Sequence, residues 1–370
     1  MDNEISVGSN IARNRRERGQ TQEELAAFLG VTKASVSKWE TGQSYPDIAM
    51  LPRLATYFDI SIDELVGYRP QMSDQAIRME CARLRAAFAE GPFERAHDMC
   101  QALARDYFSC YPLLLQIATL YANHVDLAGP DARGPLIEEA IGLCGRVRRG
   151  AKSSGCVRQA ESVEAILLLM KGGAKEAAEL LEDSVSPDLG ADIILARAYS
   201  ALGMTEEADT ALQSMLYQAL VLSLSRLADL AMFHASEPDR LESAHVRALH
   251  IIDSFGFEKV FGNVASVHLS FAAAFSVAGD ADGAISCLED YVRSCRAMRF
   301  DGAFHGDAFF DKLGDWFERA SAVGADMPRD EKRVRASLLE GVAANPAFAS
   351  LSGDPRFKRI VASLEEVAHG

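Results

Sequence analysis

Apolar positions in residues 21–42 (TQEELAAFLGVTKASVSKWETG) recur at helical spacing in two short runs, separated by Gly30-Val31. In the first run Leu25, Ala26, Phe28 and Leu29 form the apolar face. Thr21, with Glu24 three residues later, predicts a capping box at its start. The second run opens on Thr32 as N-cap and turns Val36 and Trp39 inward, with Lys33, Ser35, Ser37 and Lys38 outward. Ala26 is small where two helices must cross closely, and Gly30 tolerates the positive φ of a sharp inter-helix turn. A basic helix is expected before this pair at 7–18 (VGSNIARNRRER). Two more are expected after it, at 47–58 and 61–66, the latter opened by a capping box from Ser61 to Glu64.

Breakers at Gly67 and Pro70 mark residues 69–73 as a linker, dividing a unit at 1–68 from a second at 74–370. Beyond the linker the pattern is helical almost throughout, without convincing strand alternation. A glycine followed five residues later by an alanine occurs at Gly91/Ala96, Gly172/Ala177, Gly203/Ala208 and Gly279/Ala284. Three of these stretches read alike: LMKGGAKEAAELLE, ALGMTEEADTALQ and VAGDADGAISCLE. Each ends one helix, turns through glycine and polar residues, and begins the next on a small packing residue. The fold class expected is all-α.

Residues 6 to about 68 resemble the Cro and phage-repressor type of helix-turn-helix domain, the xenobiotic-response-element family. That resemblance implies a five-helix unit whose third helix lies in the DNA major groove. It implies that Gln22 donates to a phosphate from the start of the second helix. It also implies that Thr32, Lys33, Ala34, Ser35, Ser37 and Lys38 meet base edges and nearby phosphates, and that Arg15 pairs with Glu40. Arg13, Arg16 and Gln43 complete the expected DNA-binding set. The glycine-turn hairpins resemble tetratricopeptide (TPR) repeats, which implies a TPR-like α-solenoid. Residues 345–357 and the helix after them resemble a segment that covers the last hairpin, since an uncapped solenoid leaves its end face wet. Helix-turn-helix followed by TPR hairpins is similar to the architecture of peptide-sensing regulators of Gram-positive bacteria. This implies a peptide or small-molecule effector in the inner groove, with Asn123 and Asn263 as polar contacts.

Charge does not announce a nucleic-acid partner. The 370-residue chain carries a formal charge of −15, and residues 1–69 hold eight basic and ten acidic side chains. Binding to double-stranded DNA must then rest on local placement of Arg13, Arg16, Lys33 and Lys38, with marked salt sensitivity. The seven cysteines form no CxxC pair and read as core residues of a reduced, cytoplasmic protein. The apolar stretch around 218–233 is interrupted by Arg226 and Asp229, so no membrane span is expected.

Catalytic chemistry is not expected: there is no Walker-type glycine loop, no HExxH and no metal-ligand spacing, so no cofactor and no metal are assigned. Asp307 is expected to cap the helix of AFFDKLGDWF, and His268 to be a satisfied core histidine. The reading is a homodimeric, sequence-specific transcriptional regulator on a palindromic operator, its helical part serving dimerisation and effector sensing. The alternative is a regulator whose helical part binds a partner protein with no effector.

Overall fold

A computed structural model of the chain describes residues 6–68, 71–184, 190–260, 264–299, 306–320 and 331–369, and every regular element among them is a helix. The first five are α1 (Val7–Glu17), α2 (Gln22–Leu29), α3 (Lys33–Glu40), α4 (Leu51–Tyr57) and α5 (Ile62–Val66). A single 3-10 turn, Ile48–Met50, precedes α4 where the spacing predicted continuous helix from 47; Pro52 sits within the first turn of α4, where its missing N–H costs nothing. Both capping boxes form: Thr21 with Glu24 and Ser61 with Glu64 exchange side-chain and backbone hydrogen bonds. Val7, Ile11, Leu25, Leu29, Val36, Trp39, Leu54, Phe58 and Leu65 close one small core. Phe28, expected inside, is instead 52% exposed and lies on Tyr57, ring centroids 4.4 Å apart.

The remainder begins with α6 (Asp74–Glu90), α7 (Phe93–Asp106), α8 (Tyr111–His124), α9 (Pro130–Gly150), α10 (Ser154–Met170) and α11 (Ala174–Leu181). Ile77, Leu84, Leu114, Ile117, Tyr121 and Leu143 lie in the core of α6–α10. Residues 71 and 72 of the expected linker are moored to this core. Gln71 donates to the Ser109 carbonyl at 2.9 Å, and the Met72 N–H points at Cys110 Sγ at 3.5 Å.

After α12 (Ala191–Ala201), which packs on the next helix, a second core joins α13 (Thr205–Phe233), α14 (Pro238–Ser254), α15 (Phe257–Val260), α16 (Val264–Val277), α17 (Ala281–Ala297), α18 (Leu313–Ala320), α19 (Glu331–Ala343) and α20 (Pro355–His369). By length and composition α13 is apolar enough to cross a bilayer. Here α12, α14, α16 and α18 pack against it. Phe348, Leu351, Phe357, Ile360 and Leu364 of the terminal segment are buried in this core, and the Asn345 side chain accepts from the Ala347 N–H at 3.0 Å.

The glycine–alanine pattern marks helix pairs. Ala96, Ala177, Ala208 and Ala284 are all buried, each on the second helix of a pair: α6–α7, α10–α11, α12–α13 and α16–α17. Gly172, Gly203 and Gly279 take φ of +85°, +76° and +82°. In each turn the following N–H reaches back to a carbonyl five residues earlier: Gly173 to Leu168, Met204 to Tyr199, Asp280 to Phe275, at 2.8–2.9 Å. Gly91 differs, with φ −122°, because Pro92 follows and disfavours helical backbone before it. The 34-residue TPR period is lost because helix lengths are uneven, from eight residues in α11 to 29 in α13.

Candidate nucleic-acid interface

The interface is built from the turn outward. Gly30 adopts φ +73°, and the Val31 N–H reaches back to the Ala26 carbonyl at 3.0 Å, ending α2 sharply. Thr32 then opens α3, its hydroxyl accepting from the Ser35 N–H at 3.1 Å; such a cap is worth about 1 kcal/mol. Val36 and Trp39 are buried, which fixes the rotation of α3 and turns its other face to solvent.

On that face Lys33, Ala34 and Lys38 are exposed and Ser35 and Ser37 half-buried. Gln43 is exposed just beyond, past Gly42 at φ +74°. Lys38 makes no ion pair among the described residues, nor do the exposed Arg13 and Arg16. Lys33 does: its ammonium is paired with Glu23 of α2, both side chains more than half exposed. That partner holds the Glu23 carboxyl below its usual range.

Behind α3 lies a buried clamp. Arg15 Nε donates to Glu40 Oε1 at 2.6 Å and Nη2 to Oε2 at 2.9 Å, a two-pronged pair with both side chains nearly covered. Arg15 Nη1 also reaches the Gln20 carbonyl at 2.6 Å. Gln22, expected to donate to a phosphate, gives its amide to Glu40 Oε2 at 2.9 Å. The second hydrogen of that amide has no partner among the described residues. Burial disfavours the charged Glu40 carboxylate, but the hydrogen bonds from Arg15 and Gln22 outweigh it and hold its pKa below the ordinary value. The clamp ties α1, α2 and α3 into one body.

Three residues in or just after α1 take structural roles that the sequence did not assign them; Gly8 and Asn10 were not singled out at all, and Arg18 was read only as part of the basic face. Gly8 of α1 lies against the end of α3, where a Cβ would sit 2.1 Å from the Trp39 carbonyl oxygen. Asn10, buried, donates to the carbonyls of Glu64 and Leu65 at 3.2 Å and joins α1 to α5. Arg18 donates to the Tyr57 and Phe58 carbonyls at the end of α4. The only advance signal for Gly8 and Asn10 was their poor helix propensity inside a helical run.

Of the two asparagines expected to meet an effector, Asn123 is half-buried and donates to the Thr119 carbonyl of its own helix at 2.8 Å. Asn263 lies outside the described residues. His268 is buried, with Nε2 3.0 Å from Glu258 Oε1, as a satisfied core histidine should be. Asp307 caps a turn rather than a helix: it accepts from the Phe309 and Phe310 N–H groups at 2.9 Å, and α18 starts only at Leu313.

The short capped helices, the fixed turn and the outward polar face define a DNA-binding protein of the helix-turn-helix class. Residues 11–65 match the family described as helix-turn-helix. The uncharacterised HTH-type transcriptional regulator y4dJ of Sinorhizobium fredii is 44% identical over 66 residues, covering 18% of this chain and 86% of that protein. The HTH-type transcriptional activator BcrR of Enterococcus faecalis is 43% identical over 47 residues, 13% of this chain, and the match spans only 23% of BcrR. The chain belongs to the helix-turn-helix family of transcriptional regulators. Among solved structures, the apo form of the competence regulator ComR from Streptococcus vestibularis aligns over 86% of this chain and 99% of that one, at 15% identity and a TM-score of 0.31.

Proposed function

We propose that the protein binds a palindromic operator as a homodimer, through the recognition helix at 32–41, and that the helices beyond residue 73 pair the two copies and sense an effector. The observation that carries the DNA reading is the α3 face: Lys33, Ala34, Ser35, Ser37 and Lys38 stand outward on a helix whose rotation is locked by Val36, Trp39 and the Arg15–Glu40 clamp. A recognition helix needs that rigidity, because base-edge hydrogen bonds fail if the helix rolls. Gln22, Thr32, Arg13, Arg16 and Gln43 flank the face and supply phosphate donors.

Self-association is supported by apolar side chains left uncovered on α12, α13 and the turn between them, among them Ile194, Leu202, Leu212, Leu222 and Phe233. Effector sensing is supported by a cavity of about 550 Å³ between α12, α13 and α18, lined by Tyr199, Met215 and Trp316 with Asp192 and Glu206. That volume falls in the range that holds small ligands. Asn123 does not line it and stands as a separate, weaker effector contact. Genome-wide mapping of bound DNA tests the operator reading: recurrent two-fold symmetric sites support it, and binding without sequence preference overturns it. Native mass spectrometry of protein from its own host separates effector sensing, which leaves a reproducible bound mass, from a helical part that only pairs proteins.

A further inference from the structure

Arg146 of α9 is a guanidinium with no carboxylate partner among the described residues. Its Nη2 donates to the carbonyls of Ala104 at 3.4 Å and Phe108 at 2.5 Å, and its guanidinium carbon stands 3.7 Å from the centre of the Phe108 ring. Its Nε is buried and has no hydrogen-bond partner among the described residues. Burial pushes its pKa below the ordinary arginine value. Capping the end of α7 accounts for Nη2 and holds the guanidinium, its positive charge unneutralised, at the edge of a groove.

The surroundings gather more positive charge. Arg105 and Arg149 face the same cavity of about 520 Å³, with Gln101, Phe108, Gly142 and Leu143. Arg149 makes no ion pair among the described residues, and Arg105 has only the exposed Asp106 at 3.7 Å. The one carboxylate lining the cavity, Glu139, is already engaged by His97 at 2.8 Å, Gln101 at 3.1 Å and Tyr121 at 3.3 Å. In a chain of net charge −15, residues 146–152 hold four basic side chains and no acidic one. Two glycines interrupt α9 at this place, at about 1 kcal/mol each relative to alanine. A Cβ on Gly142 would meet nothing within 4 Å, so the missing side chain leaves the cavity open. Phe108 is 67% exposed at its rim.

We propose that this groove between α7 and α9 binds an oxyanion, a phosphate monoester or a carboxylate, carried on a flat apolar body. The exposed guanidinium of Arg149 supplies the fork that fits planar oxyanions, Arg146 and Arg105 add to the positive field, and the face of Phe108 that Arg146 leaves open offers the stacking surface. The site is distinct from the DNA-binding face and from the α12–α13–α18 cavity.

Calorimetric titration of the full chain at low salt tests this with three probes: adenosine monophosphate, benzoate and inorganic phosphate. Saturable binding of adenosine monophosphate or benzoate is expected, the preferred one naming phosphate or carboxylate as the source, with inorganic phosphate weaker. Arg149→Gln should weaken binding about tenfold, the loss of one charge-assisted contact. Gly142→Leu should abolish it by filling the groove, while favouring the helix and leaving every arginine in place. Arg146 itself is spared because it also caps α7. Failure of both organic probes to saturate at millimolar concentration overturns the proposal, as does unchanged affinity in the two variants. Inorganic phosphate binding as tightly as the organic probes overturns the role of Phe108.

Discussion

Lys33 and Lys38 leave the same helix, but their surroundings separate them. To reach DNA Lys33 would have to leave Glu23, whereas Lys38 has no ion pair to break among the described residues. Lys38→Ala should therefore weaken operator binding about tenfold or more, in line with the roughly 1–3 kcal/mol of a good base contact. Lys33→Ala should cost less, and neither should move the thermal midpoint. Fluorescence anisotropy on the mapped operator checks the order, and equal losses would mean that the Glu23 pair does not hold Lys33 back. Behind them, Glu40 makes the first core sensitive to acid. A carboxylate whose folded pKa is lowered adds stability that is present above its ordinary value of 4.5 and is lost as pH falls through the lowered one. Trp39 fluorescence melts in a Trp316→Phe background should show destabilisation below that pH, and Glu40→Gln should flatten part of the slope. Arg15→Ala, which strands a nearly buried carboxylate, should cost about 3 kcal/mol at neutral pH.

One turn geometry recurs at the scale of elements. A glycine in the left-handed region, with the next N–H bonded five residues back, ends α2 at Gly30 and α5 at Gly67, and it joins the helix pairs at Gly172, Gly203 and Gly279. The same local chemistry thus shapes the helix-turn-helix motif and the helix pairs beyond residue 73. A Cβ at Gly203 or Gly279 would meet no atom within 4 Å, so substitution there probes backbone strain alone. Gly203→Ala and Gly279→Ala should each cost about 1 kcal/mol. Gly91→Ala should cost less, since its φ of −122° suits any residue and only the Ala87 carbonyl at 3.2 Å must give slightly. Urea unfolding midpoints give the comparison, and a Gly91 penalty as large as the other two would overturn the distinction.

For the whole molecule the question is what one copy can do alone. A single small helix-turn-helix unit covers little DNA, and the chain is acidic overall, so two copies on a two-fold axis should read half-sites about 10 base pairs, or a multiple, apart. A fragment of residues 1–68 should fold, because its apolar core draws on no residue beyond Val66, yet lose most operator affinity. Light scattering should report a dimer for the full chain and a monomer for the fragment. A monomeric full chain with undiminished affinity would overturn the pairing role of the later helices.

What the sequence determined by itself was local: the two capping boxes, the Gly30 turn, the inward Val36 and Trp39, and the helix pairs marked by glycine and alanine. Each depends on residues within about two helical turns of one another, a range that periodicity and propensity encode. The Arg15–Glu40 pair was legible only through likeness to a known domain, since nothing local links positions 25 apart. Tertiary structure alone decided the rest. It set Gly8 against the Trp39 carbonyl, gave the Gln22 amide to Glu40, turned Phe28 out onto Tyr57, and brought Arg105 to the cavity of Arg146 and Arg149. These contacts join distant parts of the chain, and packing geometry chooses among side chains that composition alone treats as equivalent.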